Sequence, residues 1–257
     1  IDWVSGFSIG SDKSVKSVEF VQPSSGAVAY NYVHDADRKL ADGNDLNVAG
    51  RSSIDGILKA SGQLFLINEK GIDFGANADV KAANFVASAL GVSPTLVRDG
   101  IFAQDIYSRA FYLSKNQLSA DDATAFANTG ASAQAAFNAA SITVSQGANI
   151  STSVDNGFVM LIGSRIDQSG TISTPRGQTL IAAGAEVYLK PPFAAGLRGF
   201  MAEVNPLYVV KKYDDNLWGV IDHGTVSNSG SIAAAQGNIS LVGYNITQGG
   251  SLWTSTS

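Results

Sequence analysis

The chain contains no cysteine, so neither a disulfide framework nor thiolate chemistry is open to it. Charge is also scarce. Asp, Glu, Lys and Arg make up 15% of residues, against roughly a quarter in an average globular domain. The two histidines, His34 and His223, lie far apart without His or Cys at ligand spacing, which argues against a zinc centre. No apolar run approaches the roughly 18 residues that a membrane helix needs. Lys and Arg number 17 against 22 Asp and Glu, for a formal net charge of −5, and the pI is near 4.9. Nucleic acid is therefore not expected as a partner, because phosphate binding requires a basic surface.

Glycine and short apolar runs are plentiful. There are 27 glycines against six prolines, and 45% of the 257 residues are hydrophobic, enough for a sizeable core. The segment "GQLFLINEKGIDFG" (62–75) shows the pattern: an apolar run, a polar corner at Asn68-Glu69-Lys70-Gly71, then Ile72 and Phe74. It reads as strand, tight turn, strand. Gly71 suits a corner with φ > 0, and Asn68 suits an end where a side chain bonds its own backbone. Such a corner is structural first, whether or not anything binds it.

The chain also repeats itself. "QSGTISTPRGQTLIAAG" (168–184) aligns with "NSGSIAAAQGNISLVG" (228–243), with Gly170 and Gly230, Ile172 and Ile232, and Gly177 and Gly237 each sixty positions apart. "NGFVMLIG" (156–163) and "QGGSLWTS" (248–255) repeat halves of that unit twenty positions before and after, and "DGILKASGQLFLI" (55–67) keeps the cadence. An interval near twenty residues, with Ile, Val, Leu, Phe and Thr between Gly/Asn/Ser corners, is a solenoid signature. Each turn is too short to bury its own face, so turns must stack. An all-β fold, a parallel β-helix of about twenty residues per coil, is expected. Its inward stack would hold Leu64, Leu66, Ile72, Phe74, Val159, Leu161, Ile172, Leu180, Ile232, Ile239 and Leu241.

Two segments break the cadence. Residues 103–140 are Ala-rich, with a helix-capping signal at Ser119 and Asp122, and residues 190–222 carry Pro191, Pro192 and Pro206 among aromatics. Proline suits no interior ladder strand, and because the repeat resumes after each segment both are expected as excursions packed outside one domain spanning 1–257. Residues 1–50 would form an N-terminal cap region with the first coils, and 223–257 would resume the β-helix.

Candidate chemistry is sparse. Asp35, Asp37, Asp42, Asn44, Asp45 and Asn47 could offer oxygens to Ca²⁺, but they match no EF-hand loop, and a solvated loop is the better reading. The adjacent pairs Asp121-Asp122 and Asp214-Asp215 are poor glycosidase candidates, because neighbours on an extended chain point to opposite faces. No phosphate-binding glycine motif occurs. Phe193, Phe200, Tyr208, Tyr213 and Trp218 could stack on sugar rings or seal the excursion onto the coil. The "NIS" and "NIT" triplets at 149, 238 and 245 are accounted for by Asn at coil corners. No enzymatic activity, cofactor or metal is expected, although a β-helix polysaccharide lyase or hydrolase stands as a third alternative.

The residues resemble a known family. "IDWVSGFSIGSDKSVKSVEFVQPSSGAVAYNYV" (1–33) resembles the start of the secretion domain of two-partner-secreted exoproteins, through Trp3, Phe7, Ile9-Gly10, Phe20-Val21-Gln22-Pro23, Ala27-Val28, Asn31 and Val33. That group includes filamentous haemagglutinin, the high-molecular-weight adhesins, haemopexin-binding exoproteins and large haemolysins. Asn68, Gly71 and Ile72 are similar to the family's Asn-Pro-Asn-Gly-Ile corner, with Glu69 and Lys70 departing from it. "FVASAL" (85–90) and "GFVMLIGSRIDQSGTIS" (157–173) resemble the coils that follow.

The resemblance implies a right-handed parallel β-helix with a cap. It also implies recognition by the POTRA domains of a cognate outer-membrane transporter, with Asn31 and Asn68, Glu69, Lys70, Gly71 and Ile72 as the recognition or turn motif. A secreted or surface-exposed, monomeric product of a Gram-negative bacterium, passing through the periplasm, is expected, with an adhesin as the preferred cargo. The family's domain has strands before Ile1, so a longer N-terminus is expected, as is continuation past Ser257. The alternative role is a module that itself binds polysaccharide or a host surface protein, with Tyr208, Tyr213 and Trp218 as its platform.

Overall fold

The computed structural model describes residues 1–3, 6–10, 14–33, 50–103, 109–113, 137–190, 199–210 and 218–255. The corner at Asn68 shows how the rest is built. Gln63–Ile67 runs into the corner, Ile72–Phe74 leaves it, and Asp79–Ala82 follows after a second bend. Asn84–Ser88 then lies parallel beside Gln63–Ile67, with Leu64 next to Phe85 and Leu66 next to Ala87. One coil is thus three short strands, and each strand pairs with its equivalent on the next coil.

Repetition produces three parallel sheets of seven strands each. The first holds Asp2–Trp3, Val28–Val33, Gln63–Ile67, Asn84–Ser88, Phe158–Gly163, Gln178–Ala183 and Asn238–Val242. The second includes Ser52–Asp55, Ile72–Phe74, Ser141–Val144, Arg165–Gln168, Thr225–Asn228 and Asn245–Gln248, and the third ends on Asn149–Thr152, Thr171–Ser173, Ser231–Ala233 and Ser251–Trp253. The intervals foreseen from the repeats are visible as contacts. Ser169 and Ser229, sixty residues apart, join hydroxyls at 2.8 Å, and Ser231 and Ser251, twenty apart, do so at 3.0 Å.

The core is the column of inward side chains. Leu64, Leu66, Ile72, Phe74, Val159, Leu161, Ile172 and Ile232 are buried, while Ile239 and Leu241, on the last coil, are partly buried and pack against them. Leu180 departs from the expected stack. Its rung neighbours are Met160 and Ser240, whereas Leu161 sits beside Ile181. Alternation along a strand therefore sends Leu180 to the opposite, outer face, and Thr179 and Ile181 take the inward places.

That outer face is itself covered, which explains the sequence of the first sheet. Its strands Phe158–Gly163 and Gln178–Ala183 are buried at every position, whereas Ser141–Val144 and Asn149–Thr152 on the other sheets bury alternate residues. A parallel strand buried on both sides reads as a continuous apolar run. The cover is an antiparallel sheet of Gly91–Val92, Arg109–Tyr112, Glu186–Lys190 and Met201–Asn205, together with a short helix, Pro94–Asp99. Ser93 caps the helix by accepting from the Leu96 N–H, with proline in its first turn, where the missing N–H is no loss. Phe102, Phe158 and Phe200 form an aromatic seal with ring centroids 5.1–6.1 Å apart. Gln178 fixes Phe200 from below, its amide donating to Phe200 O at 2.7 Å and accepting from Phe200 N at 2.5 Å.

The long connections share one location. Chain segments 34–51, 89–140 and 184–224 all leave between a first-sheet strand and the second-sheet strand of the same coil. The helix signal at Ser119 and Asp122, the acidic segment 34–47 and the pairs Asp121-Asp122 and Asp214-Asp215 lie outside the described residues.

Candidate site at the Asn68 corner

Asn68 is buried, with no exposed surface, and every polar atom of its side chain is used. Oδ1 accepts from the Lys70 N–H at 2.9 Å, the turn expected from an asparagine at a strand end. Nδ2 donates to Gly50 O at 3.0 Å and to Ser52 Oγ at 2.9 Å. The backbone closes the turn, Gly71 N donating to Asn68 O at 2.9 Å while Asn68 N donates to Ser88 O at 2.9 Å. The side-chain amide therefore ties its own corner to the preceding coil, and the backbone N–H ties it to the following one.

Gly71 is required twice over. Its φ is 102°, a conformation that side chains with a Cβ resist. A Cβ there would also lie 2.1 Å from Arg51 Nη1 and 2.7 Å from Ala139 O. Ile72 follows immediately, fully buried on a rung between Ser52 and Ile142. Glu69 is half-exposed and Lys70 exposed. The Glu69 carboxylate lies against Gly91, where a Cβ would approach its Oε1 to 2.8 Å.

The residue that organises this corner is Arg51, which sequence reasoning missed. Its Nε and Nη2 take both oxygens of Asp73 at 2.7 and 2.6 Å. Nη1 reaches Ser141 Oγ at 2.9 Å, Ala139 O at 3.1 Å and Lys70 O at 3.3 Å. A planar guanidinium with five fixed donors suits this, since it can fork onto a carboxylate and still serve carbonyls at its edge. The only signal was an arginine directly before a strand that ends a long connection, which is weak evidence on its own.

Asn31 belongs to a different set. It is buried, donates to Phe65 O at 3.2 Å and accepts from Trp3 Nε1 at 3.2 Å, holding the first strand onto the second and third coils. Above it Trp3 packs on Phe7 with centroids 4.9 Å apart. Asn31 and Asn68 thus act alike, as buried amides bridging coils, at separate places.

Of the aromatic platform, Tyr208 and Trp218 fall on a two-stranded antiparallel hairpin, Leu207–Val210 with Trp218–Asp222, where Tyr208 pairs with Val220 and Val210 with Trp218. Tyr213 and Phe193 lie outside the described residues. Phe200 is buried in the seal described above. His223 stacks on Tyr244 with centroids 3.8 Å apart, and His34 lies outside the described residues. Among the described residues no three His, Asp or Glu gather as a metal would need, and no helix is long and apolar enough to cross a membrane.

Stacked three-strand coils, tight amide-held corners and an external antiparallel sheet define a parallel β-helix. The chain belongs to the TPS secretion domain family, whose model matches residues 4–200. The crystal structure of the HMW1 secretion domain from Haemophilus influenzae shares the fold, with a TM-score of 0.53 and 20% sequence identity over 93% of this chain and 49% of that one. This chain therefore spans about half the length of that structure. No curated protein sequence matches the chain. The family is one of secretion domains, not of enzymes.

Proposed function

We propose that the chain is the secretion domain of an adhesin-type exoprotein, recognised by the POTRA domains of a cognate outer-membrane transporter, and that it starts β-helix folding at the cell surface. The observation that carries this is the family match over residues 4–200, which includes the Asn68 corner. Burial refines the mechanism. Asn31 and Asn68 have at most 1% of their surface exposed, so a transporter that reads these side chains must meet the chain before it folds. Strand addition to an exposed edge is a mode by which an extended segment is held through its backbone. Once outside, the first coils template the next, because each parallel strand offers its free edge to the following one.

The test is secretion of the chain behind a periplasmic signal peptide, with its transporter co-expressed. Transporter-dependent release into the medium is expected. Asn68→Ala combined with Gly71→Ala is expected to abolish release. Release without the transporter, or equal retention with and without it, would refute the reading. Lys70→Asn restores the side chain usual in the family's corner and is expected to leave release unchanged.

A further inference from the structure

The external antiparallel sheet turns one face to the coil and one to solvent. On the buried face stand Ala110, Phe111, Val187 and Leu189. Residues 109 and 112 would fall on opposite faces of a regular strand. A shift of register between Arg109 and Phe111 prevents this: Arg109 pairs with Tyr188, Phe111 with Val187 and Tyr112 with Glu186. The bulge turns Arg109 and Tyr112 to the same outer side, a re-aiming for which bulges are used near binding sites.

The result is a tile of four side chains on two strands, with tyrosines on one diagonal and an ion pair on the other. Arg109 Nη1 donates to Glu186 Oε1 at 2.6 Å while its guanidinium lies 5.0 Å from the centre of the Tyr112 ring. Glu186 Oε2 accepts from Tyr188 Oη at 3.1 Å and from Asn205 Nδ2 at 3.1 Å. The pair is still accessible, with side chains 42% and 22% exposed. Beside it Lys190 neutralises Glu203. Every charge on the tile is compensated within it.

We propose that this outer face binds a neutral glycan, an inference that stands apart from the secretion role. A sugar hydroxyl both donates and accepts. The Arg109–Glu186–Asn205 array presents donors and acceptors side by side in fixed positions, and fixing them in advance lowers the ordering cost of binding. Tyr112 and Tyr188 flank the array with rings that bring large contact area at little conformational cost. A polyanionic glycan does not fit, because it would have to compete with Glu186 and Glu203 for the two cations.

The chain is to be titrated with a panel of neutral α- and β-linked hexose oligosaccharides and, for contrast, with heparin, following amide NMR shifts. A neutral probe is expected to shift the strands at 109–112, 186–190 and 201–205. Tyr112→Ala and Tyr188→Ala are each expected to weaken binding about tenfold, the loss of one good aromatic contact. Tyr188→Phe keeps the ring, loses only the bond to Glu186 and guards against unfolding of the alanine variants; it is expected to weaken binding by less. No shift with any neutral probe, tighter binding of heparin, or a neutral-probe affinity indifferent to all three substitutions would overturn the proposal.

Discussion

Arg51 and Asp73, carried by adjacent coils, meet through two parallel hydrogen bonds of 2.7 and 2.6 Å. The geometry matters because the same guanidinium also holds Ser141 Oγ at 2.9 Å on the coil beyond. Three successive coils are pinned at one corner by a single side chain. Two of those coils are separated in the chain by a long excursion, so the bond from Arg51 to Ser141 spans 90 residues. It adds a side-chain clamp to the ladders that join the same coils, such as the pairing of Ile72 with Ile142 and of Phe74 with Val144.

Removing that device is the first prediction. Arg51→Ala is expected to lower the free energy of unfolding by about 2 kcal/mol, within the range for charge-assisted hydrogen bonds. The pair is partly exposed, at 34% and 40% of the side chains, so solvent screening argues against a larger figure. Arg51→Lys keeps the charge but not the fork, and is expected to recover less than half of the loss. Urea unfolding of the three proteins decides it. A lysine variant as stable as the parent would show that only the point charge counts.

Much of this architecture is legible in the sequence. The glycine corners, the twenty-residue interval and most of the inward column could be read because each coil repeats local chemistry at fixed spacing. The Asn68 corner was legible for the same reason: an asparagine and a glycine three residues apart have few other uses. Arg51 was not, since its partners lie 22 and 90 residues away and no pattern links them. Leu180 was given the wrong face because "QTLIAA" is buried on both sides and so shows no alternation. The external sheet was hidden for a related reason. Arg109 and Glu186 are 77 residues apart, and their strands carry no repeat.

Close stacking of corners gives a second prediction. Gly157, Gly177 and Gly237 lie above one another, and a Cβ on Gly177 would sit 1.7 Å from Gly157 O. The neighbour is backbone on a packed coil and cannot swing aside. Gly177→Ala is expected to destabilise by about 3 kcal/mol, the upper end for overpacking. Gly249→Ala, whose nearest contact would be 3.9 Å away, is expected to be nearly neutral. Comparable thermal midpoints for the two variants would show that the corner relaxes.

A third prediction concerns alkaline pH. Burial pushes the Tyr32 phenol up to about 12, with further contributions from Tyr30, Asp2 and Tyr112. The folded value lies above the ordinary one of 10.0, so the neutral ring stabilises the fold fully below pH 10. That stability drains away as pH rises through the folded value, because the unfolded chain loses its proton first. Tyr32→Phe is expected to flatten the decline between about pH 10 and 12. An unchanged slope in urea unfolding across that window would assign the loss to other groups.

The last prediction separates the two halves of the coil. Along one inward column the rungs run Phe74, Val144, Gln168, Asn228 and Gln248, changing from apolar to amide. Gln168 and Asn228 are buried. Each amide spans its own corner, as when Gly170 N donates to Gln168 Oε1 at 2.8 Å, and Asn228 Nδ2 also reaches Gln248 Oε1 at 2.8 Å. Asn228→Leu would remove that bond to the exposed Gln248 and the one from the Gly230 N–H, which keeps Gln168 O as a partner at 3.2 Å, a net loss of about 1 kcal/mol. Ile246 and Leu252 are exposed while their rung neighbours Val226 and Ile232 are buried, so the damage is expected to stay local in this chain. Amides of 238–253 should exchange several-fold faster in hydrogen–deuterium exchange, with 63–88 unchanged. Uniform acceleration along the chain would instead mean that the ladder supports the whole coil as one cooperative unit.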